Sequence, residues 1–268
     1  MNHTGANPQK KAVAIIPARF ASTRLPGKPL LEISGKSMIC RVVERVLTAQ
    51  TVAQVIVATD DSRVFEAVRS AGHQAVMTRS DHASGTDRLA EVARSLPDAE
   101  IIVNVQGDEP LISAETIDRA IAALRADDKC SMSTTWEPLE SAADVLSADV
   151  VKVIVDEFDR AVYFSRSPVP FPREAVRRHG SIESALREEP GLLRTFRKHT
   201  GLYVYRREFL LEFASWPQSP LERIEALEQL RALEHGAVIK VIEASTPSIG
   251  VDTIEDFERV RAIVAADA

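Results

Sequence analysis

The sequence predicts an α/β fold on a mainly parallel central sheet, with helices on both faces and no split into separate domains. Two observations predict it. From residue 12 to residue 126, short apolar runs rich in Val, Ile and Ala alternate with segments whose apolar positions recur at helical spacing, the pattern of strand–helix–strand crossovers. No linker is long enough to separate two domains in the 268 residues, a length that can bury one substantial core.

Residues 12–18 are apolar at nearly every position and read as a strand buried on both faces, as a parallel sheet requires. Residues 37–50 place Met38, Ile39, Val42, Val43, Val46 and Leu47 at helical spacing. Residues 54–59 form a second buried strand ending in Asp60-Asp61, and residues 62–71 a helix that Gly72 stops. A short strand at 74–78 leads to the polar loop 79–86 and a helix at 87–96. The strand 101–105 runs into Gln106-Gly107-Asp108-Glu109-Pro110, followed by a helix at 114–126. The second half is less regular. Residues 130–136 and 150–155 read as strands, and 161–165 pairs with the latter as a hairpin. Three prolines stiffen 167–172. Residues 173–198 are charged and lack a clear period, so they read as a mobile insertion. A strand at 198–206, a helix at 221–235, a strand at 237–243 and a helix at 253–265 complete the chain, and residues 1–11 read as a flexible polar tail.

Hydrophobic residues at 45% and charged residues at 27% are ordinary for a globular protein. The net charge of -6 argues against a nucleic-acid or anionic-membrane partner, which a basic surface would serve. It leaves room for one small polyanion in a locally positive cleft. Cys40 and Cys130 lie far apart without metal-ligand spacing; two buried thiols in a reducing cytosol is the reading, and one disulfide the alternative. No apolar run is long enough to span a membrane, and the start is unlike a signal peptide. The expected location is the cytoplasm.

The loop after the first strand carries Arg19, Arg24 and Lys28 among Pro26, Gly27 and Pro29. In an acidic chain this cluster is local. Forked guanidiniums and one ammonium suit the oxygens of a triphosphate; simply solvated cations are the alternative. Two familiar nucleotide motifs are absent. Gly35-Lys36-Ser37 resembles the end of a Walker A loop, but Leu30 stands where its first glycine is needed, and no G-x-G-x-x-G occurs. Ligands of parallel sheets bind beyond the carboxyl ends of the strands, so the loops at 19–29, 79–86 and 106–110 should face one crevice.

Asp108 follows a buried strand, and Gly107 leaves room for close approach. A carboxylate there suits Mg²⁺, which takes hard oxygens and shares them with phosphates; a turn or capping aspartate is the other reading. Asp252, before Thr253, is a second candidate and also reads as the N-cap of the last helix. His199 and Tyr203, four apart on a strand, share a face with Gly201 between them, a small-floored pocket that fits a sugar. A structural histidine fits as well. Glu222, Glu225, Glu228 and Gln229 recur at helical spacing, which a solvated helix face also explains.

Together these segments resemble the 3-deoxy-manno-octulosonate cytidylyltransferase (CMP-Kdo synthetase) family over nearly the whole chain after residue 11. The resemblance rests on residues 16–30, 79–88, 103–110, 163–166, 199–203, 227–231 and 250–253. It implies a Rossmann-like nucleotide-diphospho-sugar transferase fold with a small dimerisation subdomain. One cytidylyltransferase domain would span 12–268, with 12–128 mainly binding nucleotide and about 130–235 binding sugar and making a homodimer contact. The implied activity is transfer of CMP from CTP to the acid sugar Kdo, with release of pyrophosphate, for lipopolysaccharide synthesis. A cytidylyltransferase for another acid sugar, such as sialic acid, is the alternative, and a non-catalytic nucleotide-binding regulator the more distant one.

Carried over by position, Arg19, Arg24, Lys28 and Asp108 would be catalytic, and Ala18, Arg19, Ser22, Lys28, Arg79, Ser84, Gly85 and Thr86 would line the nucleotide. Gln106, Arg166, His199, Tyr203, Glu225 and Gln229 would line Kdo, with Arg166 on its carboxylate, and Asp108 and Asp252 would hold magnesium. Many relatives have Tyr in place of Phe20 and Arg in place of Lys198; neither change removes a charge this reading uses.

Overall fold

The computed structural model describes residues 12–20 and 25–266. In chain order the first half runs β1 (Ala12–Ala18), β2 (Glu32–Ile33), β3 (Lys36–Ser37), α1 (Met38–Leu47), β4 (Val52–Thr59), α2 (Ser62–Ser70), β5 (Gln74–Met77), α3 (Gly85–Arg94), β6 (Ile101–Asn104) and α4 (Ala114–Ala126). The second half adds β7 (Met132–Pro138), α5 (Ala142–Leu146), β8 (Lys152–Val155), β9 (Ala161–Ser165), α6 (Arg173–His179), α7 (Ile182–Glu188), β10 (Arg197–Arg206), α8 (Arg207–Phe213), α9 (Pro220–Glu225), α10 (Gln229–Glu234), β11 (Ile239–Glu243) and α11 (Ile254–Ala266).

The main sheet follows the order β11-β7-β10-β6-β1-β4-β5, with β8 beside β10 and β9 beyond β8. Strands β6, β1, β4 and β5 are parallel neighbours. β10 enters antiparallel between β6 and β7, and β11 lies parallel to β7. The continuous apolar run of β1 follows from this setting. Ala12, Ala14, Ile16 and Ala18 pack on one face with Val42, Val43 and Val46 of α1 and Ile117 and Ile121 of α4. Val13 and Ile15 pack on the other with Leu89 and Val92 of α3 and Leu210 and Phe213 of α8. Both faces are dry, so neither can carry polar residues.

Several expectations change. Gly35-Lys36-Ser37 belongs to the β2–β3 hairpin, whose turn residues Ser34 and Gly35 both have positive φ (47° and 77°), the backbone a tight two-residue hairpin demands. α3 starts at Gly85 rather than 87, because Ser84 and Asp87 form a reciprocal capping box. The single helix expected at 221–235 is two, α9 and α10, parted at Ala226 in the left-handed region (φ 50°). Residues 173–198 are not an irregular insertion. They fold into α6, α7, a 3-10 segment at Pro190–Thr195 and the start of β10, around a small core of Leu139, Val145, Leu186 and Phe196. α5 and α8 were not foreseen. The residues read as an N-terminal tail lie outside the described residues.

β10 carries the most consequential irregularity. Thr200 pairs with Thr135 of β7, yet Tyr203 pairs with Thr134, so Gly201 and Leu202 bulge out of the ladder. In a regular strand, residues four apart stand about 13 Å from each other. Here His199 and Tyr203 lie opposite Trp136 and Thr134, two residues apart on one face of β7, and their ring centroids are 5.4 Å apart. The bulge re-aims these side chains.

Candidate active site

Lys28 opens a single 3-10 turn, Lys28–Leu30, entered through Gly27 in the left-handed region (φ 70°). A Cβ on Gly27 would be strained by that φ and would meet the Phe20 ring at 3.2 Å. The Arg63 guanidinium stacks 3.4 Å from the centroid of that ring and braces the turn. So held, the Lys28 ammonium donates to Asp108 Oδ2 at 2.5 Å and to Asp252 Oδ1 at 3.1 Å. Two acids distant along the chain therefore meet at one cation. The backbone joins them too, since Val251 N–H donates to the Asp108 carbonyl at 2.9 Å. Asp252 is not the cap of the last helix. Thr253 Oγ1 accepts from Asp256 N–H at 3.1 Å, and the Asp256 carboxylate accepts from the Asp252 and Thr253 amides. Gly107 is required by the scaffold, because a Cβ there would stand 3.0 Å from the Pro17 carbonyl oxygen.

On one side of the Lys28 cluster, Arg19 donates to the His82 carbonyl at 2.9 Å and so ties the end of β1 to the 79–86 loop. Glu91 of α3 fastens that loop by accepting from the Arg79 amide at 3.2 Å and pairing with the His82 ring. The Arg79 guanidinium forks onto Asp81. Buried Arg88 bridges Asp60, after β4, and Thr78, after β5. Ser84 caps α3 and Gly85 begins it, and Thr86 donates to Glu228 Oε2 at 2.6 Å. Ala18 is buried at the end of β1. Ser22 and Arg24 lie outside the described residues.

On the other side, Gln106 Nε2 donates to the Gly201 carbonyl at 3.1 Å, and a Cβ on Gly201 would meet Gln106 Cγ at 3.1 Å. The glycine allows this close approach of β10 to the loop after β6. His199 is buried, its ring edge-on to Phe164 at 4.8 Å and tilted against Tyr203. Burial pulls its pKa down to about 3, so the ring is neutral at pH 7. Burial, and then the charge of Glu228, push the Tyr203 phenol up. The Glu225 carboxylate accepts from Ser165 Oγ at 2.7 Å and from the Arg166 amide at 2.9 Å. Gln229 is buried at the start of α10.

Arg166 is the residue expected to fork onto a substrate carboxylate. Its guanidinium donates to the carbonyls of Glu225, Ala148 and Ala226, and so holds the α9–α10 break. Lys152, fully buried, anchors the same wall by donating to the carbonyls of Ser147, Val150 and Arg166.

Sequence reasoning passed over a second acidic group. The Glu109 carboxyl is pushed up to about 7, by burial first and then by the charge of Asp108. Glu137, buried at the end of β7, accepts from the Ser248 amide at 2.8 Å and pairs with Lys198 at 3.2 Å. The signal for Glu137 was an acid in a strand otherwise made of Met, Ser, Thr, Trp and Pro; Glu109 had none beyond its neighbour. Among the described residues no three His, Cys, Asp or Glu groups gather to hold a metal. The Asp108–Asp252 pair is instead the donor set Mg²⁺ takes when phosphates complete its shell.

The profile of the family described as Cytidylyltransferase matches residues 13–242. A protein of Syntrophotalea carbinolica named 3-deoxy-manno-octulosonate cytidylyltransferase is 51% identical over 249 residues, 93% of this chain and 96% of its own. One of the same name from Geobacter metallireducens is 53% identical over 253 residues, again 93% and 96% of the two chains. The solved structure of a CMP:2-keto-3-deoxy-manno-octonic acid synthetase complexed with CTP superposes with a TM-score of 0.85 at 43% identity, covering 96% of this chain and all of that one. A cytidylyltransferase of Leptospira borgpetersenii, 18% identical with a TM-score of 0.60 over 96% of this chain and 87% of its own, shares the fold.

Proposed function

The chain belongs to the 3-deoxy-manno-octulosonate cytidylyltransferase family, and we propose that it transfers CMP from CTP to Kdo with release of pyrophosphate. The observation that carries this is the Lys28 ammonium shared by Asp108 and Asp252. The C2 hydroxyl oxygen of Kdo attacks the α-phosphorus in line. A bond forms from that oxygen to phosphorus, and the bond to the oxygen bridging towards the β-phosphorus breaks. Pyrophosphate leaves with the electron pair, and the hydroxyl proton passes to water.

Charge is the main obstacle, because an anionic sugar must approach an anionic nucleotide. Lys28 with its two acids carries one net negative charge, so the cluster needs further positive charge to accept a triphosphate. We therefore assign Asp108 and Asp252 as the residues that would hold Mg²⁺. Bound there, it would supply charge neutralisation for the triphosphate and polarisation of the phosphoryl group. Lys28 holds both acids in register and, with Arg19 and Arg24, stabilises charge on the departing pyrophosphate. Ala18, Ser22, Arg79, Ser84, Gly85 and Thr86 surround the nucleotide. Gln106, His199, Tyr203, Glu225 and Gln229 surround the sugar, and Arg166 acts by fixing Glu225.

We place the enzyme in the cytoplasm as a supplier of activated Kdo for lipopolysaccharide. The free, buried thiols of Cys40 and Cys130 suit a reducing compartment, and no helix among the described residues is long and apolar enough to cross a membrane. A homodimer is part of the same proposal. Among the described residues β9 pairs with β8, and Phe158 and Val162 are exposed on that hairpin. Exposed apolar side chains there invite a partner.

The test is pyrophosphate release from CTP with Kdo, with and without Mg²⁺, and with sialic acid in place of Kdo. Release that needs CTP, Kdo and Mg²⁺ together is expected. Release with sialic acid but not Kdo would move the assignment to the alternative sugar, and none with either would overturn it.

A further inference from the structure

We propose that Thr134 is a positioning residue that fixes the His199 ring in its Nε2–H form, so that a bare Nδ1 accepts a hydrogen bond from a hydroxyl of the acid sugar. The proposal rests on the sugar-binding role assigned above to the β10 pocket. It comes from counting protons. Thr134 is fully buried on β7, opposite Tyr203. Its Oγ1 lies 2.7 Å from the Leu202 carbonyl oxygen, 2.9 Å from His199 Nε2 and 3.4 Å from the Thr200 carbonyl oxygen. These carbonyls reach one hydroxyl because the bulge at Gly201 and Leu202 folds the strand over it.

A threonine hydroxyl has one proton, and a carbonyl oxygen can only accept. At 2.7 Å from Leu202 the hydroxyl must donate there; otherwise two oxygens would face each other with lone pairs alone. Its proton is then used, and towards His199 it can only accept. The proton between them belongs to Nε2. The ring is neutral, since burial holds its pKa near 3, so the other nitrogen carries none.

The ring is also held in place. Phe164 packs edge-on at 4.8 Å and Tyr203 leans on it at 5.4 Å. Nδ1 has no hydrogen-bond partner among the described residues, and it is not one of the buried side-chain atoms without a partner. It therefore keeps some surface of its own and is the ring nitrogen left for a ligand. A bare imidazole nitrogen repels a carboxylate and binds a donor. His199 thus reads a sugar hydroxyl, and the acid group must be met elsewhere.

The test separates Thr134→Val, which keeps the shape and removes the hydroxyl, from Thr134→Ser, which keeps the hydroxyl. In ¹⁵N-labelled protein, with the His199 signals identified by their loss in His199→Gln, the wild type and Thr134→Ser should show a protonated Nε2. Thr134→Val should show a mixture of tautomers. In turnover, Thr134→Val should raise KM for Kdo about three- to tenfold, the effect of one neutral hydrogen bond. KM for CTP should stay put, and Thr134→Ser should restore Kdo affinity. A protonated Nδ1 in the wild type, or an equal rise in both KM values, would overturn the proposal. Because the tautomer is read without substrate, a wild type that fails to use Kdo would count against the proposed function and leave this assignment to its own spectrum. If Thr134→Val does not fold, the wild-type spectrum and Thr134→Ser decide.

Discussion

Lys28→Met removes the ammonium that touches both Asp108 and Asp252 and leaves a side chain of similar length. Two carboxylates about 5 Å apart repel by about 3 kcal/mol at an effective dielectric of about 20. Asp252 is about half exposed and Asp108 about a third, so solvent and salt reduce that to about 1–2 kcal/mol. In a chain of this size such a loss lowers the melting temperature by about 2–6 °C. The loss should appear in EDTA and be largely reversed by millimolar Mg²⁺, because a divalent ion replaces the missing charge. The wild type, whose acids already have a counter-charge, should respond less. Turnover with CTP and Kdo should fall about a hundred- to a thousandfold, as for other lost electrostatic groups in active sites. Paired thermal melts with EDTA and Mg²⁺, together with a pyrophosphate-release assay, measure both effects. Near-normal turnover, or a Mg²⁺ response no larger than the wild type's, would show that Lys28 and the two acids do not form one functional unit.

Asp108→Asn keeps the shape of the site and removes half of its paired negative charge, so turnover should fall by at least a hundredfold with little change in the melting temperature; retention of activity would take Asp108 out of the mechanism. Arg166→Ala should raise KM for Kdo more than KM for CTP, because the guanidinium holds the carbonyls of Glu225 and Ala226 beside the sugar wall; equal effects on the two substrates would contradict that placement. Glu109 keeps its proton in the folded chain up to about pH 7, whereas the unfolded chain loses it near 4.5. Stability tied to this group therefore falls as pH rises through that window. Glu109→Gln should gain in melting temperature over the wild type at pH 8 and much less at pH 5, both in EDTA; a pH-independent difference would show that the carboxyl is not protonated by its surroundings.

The parallel half of the fold was legible because β1, β6 and the second half of β4 are dry on both faces, which leaves unbroken apolar runs in the chain. The same topology sends the following loops to one edge, so Lys28 and Asp108 could be brought to one crevice from the sequence. Asp252 was harder, since it sits where a helix cap belongs; only the Thr253–Asp256 capping box frees its side chain for Lys28. Residues 173–198 were illegible because α6 and α7 have seven residues each, too few turns for a period to show. The break between α9 and α10 was hidden because Ala226, a good helix former, adopts a left-handed φ that Arg166 holds through its carbonyl. The bulge in β10 was equally invisible, as Gly201 marks the place but not the two-residue offset. Glu109 and Thr134 act through burial and partners, and neither property is written in local sequence.

The links between the two halves of the crevice explain why its least regular segment is also so well bonded. Thr86, at the start of α3, donates to Glu228 at 2.6 Å, and Arg231 clasps Glu228 at 2.6 Å and Glu222 at 3.2 Å. Burial pushes the Glu228 carboxyl up, while the Thr86 hydroxyl and Arg231 pull against it. A half-buried carboxylate of this kind is costly unless its partners stay in place. The 79–86 loop therefore cannot move far without uncovering an acid that sits between Glu225 and Gln229. The position of α9 and α10 is in this way tied to the position of that loop. An enzyme that joins two anions gains from such a tie, because an error of about 1 Å between attacking oxygen and phosphorus can cost about a hundredfold in rate.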